Sequence, residues 1–234
     1  MSKSRFSNPV FVAIDTPDLD KALAIARAAG PHVGGLKVGL EFITAQGPDG
    51  IRAVVALGRP VFADVKFHDI PNTVAGAARE IAKLGASIFN IHASGGEAMM
   101  RAAKDAAGSI NPDMKIIAVT LLTSLDENDV TAVGFRGSAA EQVVRLASLA
   151  QKSGLDGVVC SAHEIAAIRK ACGDDFMLVV PGIRPAGADL ADQRRVMTPR
   201  EAADAGADIL VIGRPITGAA HPGEAARAIG ESLK

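Results

Sequence analysis

The chain has 234 residues, 48% hydrophobic and 22% charged, which is enough apolar bulk for a large packed core and excludes a mainly disordered protein. Its 25 basic and 26 acidic residues give a net charge of −1, so no global field draws it to nucleic acid or an anionic membrane; with no Trp, no Tyr and only 8 Phe, it also lacks platforms for stacking bases. No segment approaches the roughly 20 apolar residues of a membrane span, the amino terminus reaches Asp15 before any stretch long enough for a signal peptide, and Cys160 and Cys172 lack the spacing and density of a disulfide framework, so the expected compartment is the cytoplasm.

Along the chain, eight short apolar runs alternate with helical stretches: FVAID, GGLKVG, PVFADVK, SIFNIHA, KIIAVTLL, LDGVVCS, FMLVVPGI and DILVIGR. They are nearly continuously hydrophobic, as parallel strands covered on both faces must be. Three joints repeat one another, KLGASIFNI (83–91), KSGLDGVVC (152–160) and DAGADILVI (204–212). In each, Gly85, Gly154 or Gly206 is expected to close a helix in the left-handed conformation before a small or acidic residue leads into the next strand. Eight such units without a linker favour one α/β domain over 1–234, a closed (β/α)8 TIM barrel, over the alternative of a doubly wound open sheet, which normally carries fewer parallel strands at this length.

Such barrels carry their chemistry where strands end, at the carboxyl-terminal face. The polar residues expected there are Asp15 after the first strand, Lys37 in the second, Asp64 and Lys66 in the third, Thr123 after the fifth, Arg184 after the seventh and Arg214 after the eighth. The third strand is the most unusual, because FADVKFHD sets Asp64, Lys66 and Asp69 in a stretch that begins as buried. Strand alternation predicts that Asp64 and Lys66 share a face, with Lys37 beside them on the neighbouring strand. Buried ions need partners, and alternating Asp and Lys supplies them. An ion-pair network that only braces the barrel would also place charges here. A magnesium site would use the carboxylates, but the interleaved ammonium groups oppose it. The five histidines show no metal-ligand spacing. Past the eighth strand, Gly213 and Arg214 stand where barrels often hold phosphate. Residues 183–199 form a connection long enough to suggest a functional loop.

DVKFHDIPNTV resembles the signature of the orotidine 5'-phosphate decarboxylase family, and NIHASGG, LLTS, GVVCSAHE, PGIRP and VIGRPI follow in that family's order over nearly the whole chain. The resemblance implies decarboxylation of orotidine 5'-monophosphate to uridine 5'-monophosphate and carbon dioxide in de novo pyrimidine biosynthesis, without metal or organic cofactor. It implies Lys66 as the ammonium that protonates the ring carbon, Asp64 as its partner beside the departing carboxylate, and Lys37 and Asp15 as ribose contacts. It also implies a homodimer in which Asp69 and Thr73 cross to the partner's site. Thr123 would contact the pyrimidine, Gln193 would bridge pyrimidine and phosphate from a lid, and Arg184 would stand at the lid's base. Gly213 and Arg214 would grip the phosphate. Related sugar-phosphate enzymes share a DxKxxD strand but use magnesium and a Glu in place of Lys37. They are the rival reading, with a noncatalytic phosphate-binding barrel as a third.

Overall fold

The strands and helices alternate through the chain as the apolar runs predict, with differences at several ends. The structure, a computed structural model, describes residues 8–185 and 197–233. The strands are β1 (Val10–Ile14), β2 (Gly35–Val38), β3 (Val61–Phe67), β4 (Ile88–His92), β5 (Lys115–Val119), β6 (Gly157–Val159), β7 (Met177–Val180) and β8 (Ile209–Ile212). Between and after them lie α1 (Leu19–Ala29), α2 (Leu40–Val55), α3 (Pro71–Lys83), α4 (Gly96–Gly108), α5 (Glu127–Ala132), α6 (Ala139–Lys152), α7 (Ile165–Cys172), α8 (Pro199–Ala205), α9 (Arg214–Thr217) and α10 (Pro222–Glu231). All eight strands are parallel, and the sheet closes where β1 pairs with β8, Phe11 standing opposite Val211. The (β/α)8 barrel expected from the sequence is therefore the fold observed.

Two apolar layers hold it together. Inside the barrel, alternate strand positions including Phe11, Phe62, Ile88, Ile117, Met177 and Ile209 pack into a plug. The positions between them, Val12, Ile14 and Phe89 among them, face outward and pack beneath the helices, which contribute Phe42 from α2 and Met99 from α4. Continuously apolar strands are the direct consequence of this double coverage. Apolar runs overstate strand length where the backbone leaves the ladder: β6 has only three residues, and Pro181, which has no N–H to offer, immediately follows β7. Among the described residues no helix is long and apolar enough to cross a membrane.

The repeated joints behave as expected. Gly85, Gly154 and Gly206 have φ of 82°, 83° and 106°, a region open to glycine at little cost. The acidic residue that follows two of them braces the amino-terminal end of the barrel. Asp156 accepts the Ile116 N–H at 2.8 Å and the Lys104 ammonium at 2.6 Å. Asp208, buried, accepts the Leu178 N–H at 2.7 Å and the Arg169 guanidinium at 2.6 Å. Each carboxylate thus satisfies a strand-end donor that the barrel ladder does not use.

Candidate active site

Continuing the inward alternation of β1, β2 and β3 past the apolar plug brings Asp15, Lys37 and Asp64 to the carboxyl-terminal mouth. With Lys66 they form a row of alternating charge. Lys37 Nζ donates to Asp15 Oδ1 at 2.9 Å and lies 3.6 Å from Asp64 Oδ2. Lys66 Nζ donates to Asp64 Oδ1 at 2.5 Å. Asp64 is largely buried, and burial alone would raise its carboxyl pKa. Lys37 and Lys66, with hydrogen bonds from Lys66 and Asn90, outweigh that effect and hold it below the ordinary carboxylate value.

Simple alternation does not account for Lys66. Ala63 pairs with Phe89 and Phe67 pairs with Ile91, so four steps along β3 match two along β4 and two residues are surplus. The strand bulges over Asp64–Lys66, and Lys66 takes φ 53°, the only positive φ outside glycine among the described residues. That conformation costs a lysine about 1–3 kcal/mol and is held here by its surroundings. Asp64 and Lys66 therefore meet as expected, but through a bulge rather than through the even pleat of a strand. Gly39 contributes by having no side chain. A Cβ at this position would stand 2.6 Å from Asp15 Oδ1 and 2.9 Å from Lys37 Nζ, inside the ion pair.

Two adjoining recesses open on this row. One, of about 200 Å3, has Lys66, Asp64 and Lys37 on one side and Val119, Val159 and Val179 on the other, with Thr123 at its rim. The second, of about 450 Å3, shares Lys37, Asp64, Pro181 and Val211 with the first and runs to Arg184, Gly213 and Arg214. Arg184 is buried, and its backbone N–H is bonded to the Met197 carbonyl at 3.0 Å. Together the recesses give the mouth a partly apolar end beside the charged row and an arginine-edged end suited to an anion.

The structure thus brings Asp15, Lys37, Asp64, Lys66, Thr123, Arg184, Gly213 and Arg214 to one mouth. Gln193 lies outside the described residues. Asp69 and Thr73 do not line either recess. Asp69 borders a separate open depression with His68, Ile70, Pro71, Ser94 and Gly95, while Thr73 is exposed on α3. Residues not singled out from the sequence also shape the site: Gly39, the valine wall, and Asn90, whose amide contacts both Asp64 and Lys66.

A closed parallel barrel with a charged row on one side of its carboxyl-terminal mouth and an arginine-edged recess on the other sets the protein in the (β/α)8 barrel class, whose members carry their sites at that mouth. The family model described as Orotidine 5'-phosphate decarboxylase / HUMPS family matches residues 8–229. The chain belongs to that family. Proteins named orotidine 5'-phosphate decarboxylase from Novosphingobium aromaticivorans and Paramagnetospirillum magneticum are 55% and 54% identical to it, each over 97% of this chain and over 100% and 98% of their own length. The crystal structure of orotidine 5'-phosphate decarboxylase from Lactobacillus acidophilus superposes with a TM-score of 0.86 at 40% identity, covering 97% of this chain and 100% of that one.

Proposed function

We propose that this protein decarboxylates orotidine 5'-monophosphate to uridine 5'-monophosphate and carbon dioxide in de novo pyrimidine biosynthesis, in the cytoplasm and without metal or organic cofactor. One barrel domain over residues 1–234 carries the activity. The observation that carries this reading is the Asp15–Lys37–Asp64–Lys66 row beside an apolar recess that runs on to Arg214.

In this reading the phosphate is gripped by Arg214 and the backbone at Gly213, with Gln193 and Arg184 on the side of the long loop. The ribose hydroxyls meet Asp15 and Lys37, and the pyrimidine lies against the valine wall near Thr123. The bond between ring carbon and carboxylate breaks, carbon dioxide leaves, and the electron pair stays on the ring carbon. Lys66 Nζ delivers a proton to that carbon and is left as a neutral amine. The ring delocalises this pair poorly and no cofactor serves as an electron sink, so a fixed ammonium beside the developing charge supplies the stabilisation. The phosphate, remote from the reacting carbon, contributes binding energy that organises the site.

The shared-site part of the proposal rests on Asp69 and Thr73. The run 68–73 is exposed, and its Ile70 is 67% accessible beside Pro71. An apolar residue presented this way next to the mouth suits a two-fold partner that receives Asp69 and Thr73 and lends its own.

Release of carbon dioxide from orotidine 5'-monophosphate tests the reading directly, with chelator present. Turnover unchanged by exhaustive chelation is the expected result. Activity that vanishes and returns with magnesium would favour the sugar-phosphate chemistry of the same family. Against that rival, both oxygens of Asp64 face ammonium groups, Lys66 on one and Lys37 on the other, where a dication would have to displace them. A barrel that binds uridine 5'-monophosphate but releases nothing would be a noncatalytic phosphate binder.

A further inference from the structure

Asn90 lies at the centre of β4, 1% exposed, opposite the stretch of β3 that has slipped out of register. A bulge leaves backbone donors without ladder partners. Here the Asn90 side chain takes the place of the ladder, with Oδ1 accepting the Lys66 backbone N–H at 2.8 Å and Nδ2 donating to Asp64 Oδ1 at 2.6 Å. The orientation of the amide follows from its partners, since a flipped amide would set oxygen against carboxylate and NH2 against N–H. One neutral group therefore spans both ends of the bulge. It fixes the left-handed backbone from which the Lys66 side chain departs, and it fixes the plane of the carboxylate that receives the Lys66 ammonium.

Few side chains can do this. Aspartate offers two acceptors and would oppose Asp64, and serine is too short to span the gap. Alanine offers neither bond.

We propose that Asn90 is a positioning residue for the reaction, setting where the Lys66 ammonium stands by holding Lys66 backbone and Asp64 carboxylate in one frame. The inference rests on the decarboxylase reading above. It assigns Asn90 no contact with substrate, so ligand grip and turnover should separate when Asn90 is changed.

The experiment compares wild type, Asn90→Ala and Asn90→Asp for turnover of orotidine 5'-monophosphate and for binding of uridine 5'-monophosphate. Displacing a catalytic group by about 1 Å costs on the order of 100-fold, so Asn90→Ala should lose roughly that factor in kcat while product affinity stays close to wild type. Asn90→Asp separates aiming from space-filling. Its side chain has nearly the original shape, so a residue that only fills space would tolerate it better than alanine. A positioning residue should tolerate it worse near pH 8, where the new carboxylate faces Asp64. Two carboxyls sharing a site raise the pKa of one of them, and once protonated the new group can donate to Asp64 and still accept from the Lys66 N–H. The ratio of Asn90→Asp to Asn90→Ala turnover should therefore rise as pH falls from about 8 to about 5.5. Lys37 on β2, Asp64 and Lys66 on β3, His92 on β4 and His68 after β3 are the charged and titratable groups around this point, and Ile117, paired with Asn90 from β5, adds no charge. Those groups are common to both variants, so the ratio reports the carboxyl introduced at position 90 together with its coupling to them.

If Asn90→Ala yields no folded protein, Asn90→Ser enters the same comparison in its place. Near-wild-type kcat in Asn90→Ala, equal loss of turnover and product binding, or a ratio that does not change with pH would each overturn the inference while the decarboxylase reading stands. Absence of carbon dioxide release from the wild-type protein would overturn that reading and the inference with it.

Discussion

Lys66 and Arg214 stand at opposite ends of the adjoining recesses, and the roles proposed for them predict opposite kinetic defects. Lys66→Ala should reduce kcat by several orders of magnitude while uridine 5'-monophosphate still binds, because the phosphate end is untouched. Arg214→Ala should act mainly on KM, removing a charged fork that grips the ligand far from the reacting carbon. Steady-state kinetics with product-binding titrations check both, and substantial turnover in Lys66→Ala would remove it as the proton donor. Asp64 and Lys66 were legible in the sequence because charge inside an apolar run has a large desolvation cost and demands an explanation. Asn90 interrupts the run 87–93 in the same way, but a neutral amide makes no comparable demand and reads as an ordinary polar residue. Gly39 could not be read at all. What excludes a methyl group there is an ion pair built from β1 and β2, which only the closed barrel brings together.

At the level of elements, the eight strands and the three glycine joints were legible because double burial and left-handed turns leave direct marks on composition. The bulge in β3 was not, because register belongs to a pair of strands and no single strand encodes it. At the end of β4, His92 adds a pH dependence to stability. Burial, with the His68 ring at 5.3 Å and the Lys66 charge, holds its imidazole pKa below the ordinary value, with only Asp64 opposing. Between the folded value and about 6.5 the unfolded chain binds the proton and the native one does not, so the native state loses stability as pH drops through that window. His92→Gln should flatten the loss. Urea midpoints measured near pH 7.5 and near pH 5.5 test this, and an unchanged difference between them would show that His92 is not its source.

At the scale of the whole molecule, the proposed dimer would have each chain complete its partner's mouth. Asp69 follows Lys66 by three residues yet borders a different depression, so the proposed dimer is what would bring it into play. Lys66→Ala and Asp69→Ala homodimers should each be nearly inactive. A mixed dimer of the two has one site with both lesions and one with neither, so random equal mixing should restore roughly a quarter of wild-type activity. No recovery after verified subunit exchange would mean that Asp69 serves its own chain's site.

A ring of eight similar units has no built-in direction around its axis, and a flat ligand dropped onto it could settle at any rotation. The mouth removes that degeneracy. Asp15, Lys37, Asp64 and Lys66 make the arc from β1 to β3 wettable, while Val119, Val159, Val179 and Val211 make the arc from β5 to β8 oily. A heterocycle with one polar edge can satisfy both arcs at a single azimuth, so the barrel selects orientation by solvation before any group reaches it by shape.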